Sequence, residues 1–269
     1  MKAIVTGASG TVGSALVQAL KAKKHTVIPW DRSAVPIDNY AAMEDFVRQS
    51  GADIVYHLAI ASRPTGVANE AGLVNHHWPS ELAWITRTLG LRFVFTSTVM
   101  VWTDKARGPF TPTTAPDAGS GYGEEKHRIE ERVFYQNPLA TVVRLGWQIA
   151  ETPGGNHMVD YLDRMQKSQG VIRASSKWLP ACSYLQDTAD GLLRLAEMDC
   201  GLYLLDSNTG AWSFHEIACA LRDKQKFDWD IRETTEFVQD QRMIDPRMKI
   251  ASLSKRLPAL PKHRSKKSP

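Results

Sequence analysis

The chain has 269 residues, of which 43% are hydrophobic and 23% are charged, and its net charge is +4. This composition is ordinary for a soluble globular protein, and the length suits one large α/β domain or one domain with a smaller lobe. No stretch approaches the ~20 apolar residues of a membrane-spanning helix, so we expect no membrane partner. The first predicted strand begins at residue 2, so we also expect no signal peptide.

The cysteines and the C-terminal end give two further expectations. Cys182, Cys200 and Cys219 are odd in number and lack metal-ligand spacing, so we expect reduced thiols and a cytoplasmic protein. Basic residues crowd the end of the chain among prolines, which predicts a flexible tail over residues 258–269. A nucleic-acid-binding arm is the alternative, but this segment has no interleaved aromatic residues and no matching fold motif. We therefore expect no nucleic-acid partner.

The N-terminal stretch predicts a strand, a glycine-rich turn and a helix. Residues 3–5 are apolar, and after the turn apolar residues recur at helical spacing. Gly7, Gly10 and Gly13 have the spacing of a dinucleotide-binding turn, in which the first permits the turn, the second admits a pyrophosphate and the third allows close packing. The N-terminus of the helix adds N–H groups and a positive dipole end. The predicted nucleotide contacts in this turn are Gly7, Ser9, Gly10, Thr11 and Val12.

A second apolar run, residues 25–30, ends in Asp31, about 20 residues beyond the glycine turn. An acidic residue at this distance binds the adenosine ribose hydroxyls, which favours NAD. Arg32 beside it is either a solvent-facing charge or a partner for the 2′-phosphate of NADP. We expect a site that accepts NAD or NADP.

Patterns of strands and helices alternate as far as residue 145. A helix is predicted over 41–50, a strand over 53–58, a helix over about 70–90 with a kink or break at Pro79, and a strand over 91–97. A loop over 103–120, a helix over 121–137 and a strand over 140–145 follow. Small apolar residues after the third strand place Leu58 and Ala59 along the cofactor. The alternation predicts an α/β fold with a doubly wound, mostly parallel sheet of the Rossmann type.

The second half of the sequence is less regular. It predicts a turn at 153–155, helices near 158–165 and 187–197, and a strand over 201–205. Ser213 and Glu216 have the spacing of a capping box for a helix that begins at Phe214. We predict a dinucleotide-binding core over residues 1–150 and a smaller substrate-binding lobe over 151–257, whose sheet is partly shared with the core.

Hydroxyl groups and a tyrosine–lysine pair are the candidate catalytic residues. The fourth strand ends in Thr96, Ser97 and Thr98, at the edge where ligands of such sheets bind. Tyr122 and Lys126 lie four residues apart in a predicted helix and therefore share a face. A nearby cation favours the phenolate of a phenol whose pKa is about 10, which would bring the group toward the operating pH. The pair alone also fits an exposed helix without function.

Taken together, these motifs resemble the extended, nucleotide-sugar branch of the short-chain dehydrogenase/reductase superfamily. The matching residues are Thr6, Gly7, Gly10, Gly13, His57, Leu58, Ala59, Asn75, Ser97, Thr98, Val101, Trp102, Tyr122 and Lys126. Within that branch the chain is most similar to the dTDP-4-dehydrorhamnose reductases, and the resemblance covers most of residues 1–257. The supporting stretches are 31–32, 108–112, 143–147, 154–156, 201–204 and 256–258.

The resemblance implies an NAD(P)H-dependent reductase of a nucleotide-activated keto sugar. Thr98 would hydrogen-bond the substrate carbonyl, Tyr122 would donate the proton, and Lys126 would hold the nicotinamide ribose and lower the pKa of the tyrosine. Hydride would come from the reduced nicotinamide. The substrate would contact Thr98, Val99, Met100, Asn156 and Trp178.

Two stretches differ from the pattern of that family, so the sequence does not identify the substrate sugar. Val99 and Met100 stand where the family usually has an Asp-Tyr pair, and residues 174–181 differ from its acidic segment. A nucleotide-sugar epimerase or dehydratase, or a non-catalytic NAD(P)-binding regulatory subunit, is the alternative. Val99 and Met100 provide no acidic pair after Thr98, which argues against a dehydratase. The presence of Thr98, Tyr122 and Lys126 together argues against a site that has lost its catalytic activity. Whether the chain forms a homodimer is also left open by the sequence.

Two further side-chain groups have more than one interpretation. Arg144 could meet a diphosphate or pair with a carboxylate. His57, His76 and His77 suggest a metal, but adjacent helical histidines point about 100° apart, so we expect no metal site.

Overall fold

The computed structural model describes residues 1–61, 66 and 68–261. The chain divides into two compact units. The first contains Met1–Thr103, Pro116–Arg144 and Thr188–Tyr203, and the second contains Asp104–Ala115, Leu145–Asp187 and the chain from Leu204 onward. The boundaries predicted at residues 150 and 257 stay a prediction, because compactness alone does not show which part binds substrate.

The elements up to residue 145 follow the predicted alternation. They are β1 (Lys2–Thr6), α1 (Thr11–Ala22), β2 (Thr26–Pro29), α2 (Tyr40–Ser50), β3 (Ile54–His57), α3 (Glu70–Gly72), a π-helical segment (Leu73–His77), α4 (Trp78–Thr88), β4 (Arg92–Thr98), a short 3-10 turn (Val99–Val101), α5 (Gly121–Gln136) and β5 (Thr141–Leu145). No helix in the described part of the chain is long and apolar enough to span a bilayer.

A six-stranded sheet confirms the predicted α/β fold. Its order is β10-β5-β4-β3-β1-β2, where β10 is Gly201–Leu205. Strand β1 pairs in parallel with β2 and β3, so that Ile4 lies opposite Ile28 and Val55. The side chains of β3 are all buried, as expected for a parallel strand covered on both faces. Parallel strands bring their carboxyl ends to one edge, which is where the glycine turn and Thr98 lie.

The helix predicted over residues 70–90 changes type at its middle. The π-helical segment ends just before α4, and Pro79 occupies the second position of α4. A proline cannot donate the usual i→i−4 hydrogen bond, and a helix start tolerates this loss. At the predicted kink or break the helix type changes, but the backbone of His77 and Trp78 stays helical, so the chain is not interrupted there. The wider turn carries Asn75, whose side-chain oxygen accepts a hydrogen bond of 2.9 Å from the backbone N–H of Ala61.

The second half contains short strands that the sequence analysis did not predict. Its elements are β6 (Trp147–Ile149), α6 (Met158–Gln169), β7 (Ile172–Ser175), β8 (Trp178–Leu179), β9 (Cys182–Tyr184), α7 (Leu185–Leu195), β10, α8 (Phe214–Gln225), β11 (Ile231–Thr234), β12 (Gln239–Asp240) and α9 (Leu253–Arg256). Three parallel pairs, β6 with β9, β7 with β11, and β8 with β12, form two-stranded sheets.

The C-terminal end is packed as far as Pro261. Leu260 is 5% exposed and belongs to the apolar core of the second unit, and the carbonyl of Pro261 accepts a hydrogen bond of 2.8 Å from the Trp212 indole. Residues 262–269 of the predicted basic tail lie outside the described residues.

The capping box of α8 is confirmed by its hydrogen bonds. The Ser213 hydroxyl accepts the backbone N–H of Glu216 at 3.2 Å, and the Glu216 carboxylate accepts the backbone N–H of Ser213 at 2.8 Å. These bonds satisfy two N–H groups that the helix itself cannot pair.

We predict that Ser213→Ala destabilises the protein by about 1 kcal/mol, since it removes the helix cap. For a chain of this size the melting temperature should fall by roughly 2–4 °C in a thermal scan. Ser168→Ala, on the exposed end of α6, is the control and should leave the melting temperature unchanged. Equal melting temperatures for the two variants would contradict a stabilising role for the capping box.

Candidate active site

The glycine turn between β1 and α1 is packed too closely for side chains at two positions. Gly7 has a φ of +64°, and a Cβ there would lie 2.9 Å from both the Cα and the nitrogen of Ala59. A Cβ on Gly13 would lie 2.0 Å from the carbonyl oxygen of Gly7. The fold itself therefore requires glycine at both positions.

Gly10 is different, because the described protein leaves space beside it. A Cβ there would meet only the Gly7 carbonyl oxygen, at 3.2 Å, among described atoms within 4 Å. Gly10 also precedes α1, and in the described chain no side chain caps that helix and no acidic residue stands in its first turn. Ser9 and Gly10 are exposed, and Thr11 and Val12 are half-buried. An open space at an uncapped helix N-terminus fits the diphosphate of a dinucleotide.

A hydroxyl on β1 fixes the backbone that follows β3. The Thr6 oxygen accepts the N–H groups of Leu58 and Ala59 at 3.1 and 3.2 Å, so its own proton is directed to the Nδ1 atom of His57 at 3.1 Å. His57 is fully buried, and burial, with Lys126 nearby, lowers its pKa to about 3. His57 is therefore neutral and structural, and the backbone predicted to lie along the cofactor is held against Gly7.

The residues after β2 form a small charged group. One carboxylate oxygen of Asp31 accepts the backbone N–H of Ser33 at 2.9 Å and its hydroxyl at 2.6 Å, which lowers the pKa of Asp31. Arg32 donates to the carboxylate of Glu70 at 3.2 Å. Arg32 faces solvent in part, with 47% of its side chain exposed, but it is not an isolated charge because it forms an ion pair with α3.

Thr98 ends β4 and caps the 3-10 turn that follows it. Its hydroxyl oxygen accepts the backbone N–H of Met100 at 3.1 Å. That bond leaves the hydroxyl proton available for a ligand. Of the two residues after Thr98, Val99 is 5% exposed and Met100 is 52% exposed, so only Met100 presents its side chain to solvent.

A glycine that the sequence analysis missed joins this turn to α5. A Cβ on Gly123 would lie 1.9 Å from the carbonyl oxygen of Met100. The close contact places Tyr122, in the same first turn of α5, beside the segment that carries Thr98. A glycine inside a predicted helix is the signal that could have revealed this approach.

Lys126 is buried one helical turn after Tyr122. Its ammonium donates to the carbonyl of Thr96 at 2.8 Å and lies 4.1 Å from the centroid of the Phe95 ring. Burial lowers the pKa of Lys126 to about 8, and the carboxylate of Glu130 partly opposes this shift. The ammonium is thus fixed beneath the carboxyl end of β4.

The pKa of Tyr122 is raised, whereas the spacing to Lys126 predicted that it would be lowered. Tyr122 is 37% exposed as a residue, but burial of its phenol and the charge of Glu125 raise its pKa to about 12. The prediction is wrong for the protein's own groups, because burial and the charge of Glu125 dominate the pKa of Tyr122, while the Lys126 ammonium donates to Thr96 on β4. Tyr122 is protonated at neutral pH and suits a proton donor.

The position of Arg144 decides between its two interpretations. Its guanidinium forms a bidentate pair with Glu130 at 3.0 and 2.6 Å, and both residues are buried. It also lies 4.7 Å from the centroid of the Trp102 ring. Arg144 therefore pairs with a carboxylate, and this pair lies one helical turn beyond Lys126.

The predicted substrate contacts Asn156 and Trp178 lie in the second unit. Asn156 is exposed and immediately precedes the cap of α6. Trp178 is half-buried and belongs to an aromatic cluster, with ring-centroid distances of 4.8 to 6.0 Å to three of its members. The other members are Trp147, Tyr161, Phe214 and Phe237. Among the described residues, no group of three or more His, Cys, Asp or Glu side chains is arranged to hold a metal ion.

Comparison with known proteins gives one family match and several relatives. A family model described as RmlD substrate binding domain matches residues 1–255. The spore coat polysaccharide biosynthesis protein SpsK of Bacillus subtilis is 24% identical over 237 residues, which are 87% of this chain and 83% of that protein. A dTDP-4-dehydrorhamnose reductase of Mycolicibacterium smegmatis is 26% identical over 198 residues, which are 72% of this chain and 60% of that protein.

Solved structures with the same fold include two reductases and an epimerase. The dTDP-4-dehydrorhamnose reductase of Clostridium acetobutylicum has a TM-score of 0.77 and 23% identity, over 92% of this chain and 91% of that one. The Bacillus anthracis enzyme of the same name, in complex with NADP, has a TM-score of 0.79 and 19% identity, over 96% of both chains. The UDP-glucose 4-epimerase of Thermotoga maritima has a TM-score of 0.72 and 19% identity, over 93% and 91%.

We predict that Gly123→Ala destabilises the protein by about 1–3 kcal/mol, because the new methyl group must displace the Met100 carbonyl. A thermal scan should show the lower melting temperature. Gly119→Ala is the matched control, since a Cβ there has no described atom within 4 Å. If Gly123→Ala has the same melting temperature as the control, the close contact does not constrain the turn.

The lowered pKa of Lys126 predicts how stability changes with pH. Between pH 8 and about 10.5 the unfolded chain binds more protons at this residue than the folded chain, so its contribution to the free energy of unfolding rises with pH. Below pH 8 both states are protonated and the contribution is constant. Denaturant titrations of the wild type and Lys126→Met at pH 7 and pH 9.5 should show the wild type gaining stability relative to the variant at the higher pH. A constant difference would contradict a lowered pKa.

Proposed function

The chain belongs to the family of the RmlD substrate binding domain, and we propose that within it this chain is an NAD(P)H-dependent reductase of a nucleotide-activated keto sugar. The arrangement of Thr98, Tyr122 and Lys126 at the carboxyl edge of the sheet is the observation that supports the proposal most strongly. Two hydroxyl groups and one ammonium lie there beside a glycine turn that fits a diphosphate.

In the proposed reaction the protein binds the carbonyl group and protonates its oxygen. Thr98 donates its hydroxyl proton in a hydrogen bond to the carbonyl oxygen of the substrate, while its own Oγ1 atom accepts the N–H of Met100. Tyr122, protonated at neutral pH, transfers its proton to the same oxygen. A reduced nicotinamide in this site would supply the hydride for the carbonyl carbon, which with the proton from Tyr122 turns the C=O group into CH–OH.

Lys126 and the turn after β1 have supporting roles. The Lys126 ammonium is fixed by the Thr96 carbonyl at the end of β4. It also donates to a ribose hydroxyl of the nicotinamide. The N–H groups at the start of α1 bind the diphosphate, and Asp31 accepts the hydroxyls of the adenosine ribose.

The names of the relatives point to a keto group at position 4 of the sugar. Besides the M. smegmatis reductase, a protein of Streptomyces antibioticus named probable dTDP-4,6-dihydroxy-2-methyloxan-3-one 4-ketoreductase is 24% identical over 229 residues, 81% of this chain and 75% of that protein. We propose a dTDP-linked 4-keto sugar as the substrate class, with Met100, Asn156 and Trp178 as sugar contacts. For Val99, which is buried, the proposal concerns the backbone.

The alternative functions have less support. Val99 and Met100 offer no acid or base after Thr98, and a dehydratase needs both for elimination. A regulatory subunit has no use for a threonine with a directed proton, a protonated tyrosine and a buried ammonium on adjoining elements. Epimerases share the fold, but the curated relatives named for a reaction are reductases.

The setting of the enzyme is a further part of the proposal. We propose that it acts in the cytoplasm, which is supported by its three free cysteine thiols. We also propose a homodimer, which is supported by two exposed aromatic side chains on neighbouring helices, Trp84 on α4 (40% exposed) and Tyr135 on α5 (75% exposed).

We predict that Tyr122→Phe lowers turnover at least ~100-fold, the scale of losing a general acid, while cofactor affinity and melting temperature stay unchanged. Turnover is followed by the absorbance of the reduced nicotinamide with a dTDP-4-keto sugar. Tyr135→Phe is the matched control, since it makes the same change at an exposed position of the same helix. A Tyr122→Phe enzyme as active as this control would remove Tyr122 from the mechanism.

A further inference from the structure

The ion pair between Arg32 and Glu70 bears on which nicotinamide cofactor the proposed site accepts. Arg32 follows Asp31 directly, so it stands beside the position of the adenosine ribose in the proposed site. Its guanidinium is bonded to Glu70, whose side chain is 10% exposed, whereas the side chain of Arg32 is 47% exposed. The arginine is therefore tied to a nearly buried carboxylate on α3.

The three side chains Asp31, Arg32 and Glu70 carry two negative charges and one positive charge. The pKa of Asp31 is lowered by its bonds to Ser33, so this carboxylate is ionised at neutral pH. A 2′-phosphate adds negative charge beside these three side chains, whose own charges sum to −1. A ribose with both hydroxyls intact meets no such repulsion and can donate to Asp31.

We propose that Glu70 is a specificity-determining residue, which holds Arg32 in an ion pair and so makes this chain bind NADH in preference to NADPH. The inference rests on the nucleotide site of the proposed function and extends it. Arginine binds phosphate best through two parallel N–H groups, and here one of its terminal nitrogens is already bonded to Glu70. A 2′-phosphate that binds the remaining Nε and Nη2 atoms meets a guanidinium whose charge Glu70 already neutralises. A 2′-phosphate that displaces Glu70 leaves a nearly buried carboxylate without its arginine, so NADPH loses affinity either way.

The test measures cofactor binding without any sugar, by fluorescence titration with NADH and with NADPH at one ionic strength. The wild type should bind NADH at least ~10-fold more tightly than NADPH. Glu70→Gln should tighten NADPH binding by about fivefold or more and leave NADH within about twofold, because it releases Arg32. Glu44→Gln, which removes the half-buried partner of Arg48 on α2, is the control and should change neither affinity.

A second variant separates release of Arg32 from other effects. Arg32→Gln in the wild-type background should leave NADPH affinity unchanged, since the arginine does not reach the phosphate there. Adding Arg32→Gln to Glu70→Gln should remove the gain in NADPH affinity. The wild type, the two single variants and the double variant together form a double-mutant cycle. If Glu70→Gln does not fold, the single variant Arg32→Gln decides the question.

Three results would overturn the inference. They are tighter binding of NADPH than NADH by the wild type, a large loss of NADPH affinity in Arg32→Gln alone, and an unchanged ratio of affinities in a folded Glu70→Gln. Binding of neither cofactor to a folded wild type would overturn the nucleotide site as well. If the wild type prefers NADH and the variants behave as expected, but no sugar is turned over, this inference stands and the proposed reductase activity is contradicted.

Discussion

Backbone contacts that leave no room for a side chain hold the carboxyl edge of the sheet together. The turn after β1 lies against the chain after β3 at Gly7, and the turn after β4 lies against α5 at Gly123. Thr6 reinforces the first contact through its hydroxyl, which bonds the N–H groups of Leu58 and Ala59. The proposed cofactor and carbonyl sites both depend on these two contacts, since each positions a functional segment by backbone rather than by side-chain packing.

Charge at this edge is arranged in two separate groups with different purposes. Beneath Thr98, the Lys126 ammonium is bonded to a carbonyl, while Glu130 and Arg144 neutralise each other nearby. The positive charge of Lys126 is thus left over in a buried place beneath Thr98. At the end of β2, the group around Asp31 instead leaves one negative charge. The first group suits proton transfer to a carbonyl oxygen, and the second suits recognition of a ribose.

The sequence could predict features that depend on local spacing. Apolar runs and glycines predicted β1 and the turn after it, and Ser213 with Glu216 predicted the start of α8. It could not predict features that depend on distant partners. The strands after residue 145 that it missed have two to four residues and pair with segments far along the chain. The direction of the Lys126 ammonium likewise follows from a bond to β4 that spacing alone does not reveal. The raised pKa of Tyr122 follows from burial of the phenol and the charge of Glu125, which spacing to Lys126 does not reveal either.

In the proposed function, this chain consumes reduced nicotinamide as a co-substrate in order to reduce a sugar. The most direct measurement is the amount of reduced cofactor oxidised per dTDP-4-keto sugar consumed, with the sugar product identified alongside. We expect one molecule of cofactor to be oxidised for each molecule of sugar reduced. Conversion of the sugar to an epimer with no net oxidation, or no conversion despite measurable cofactor binding, would contradict it.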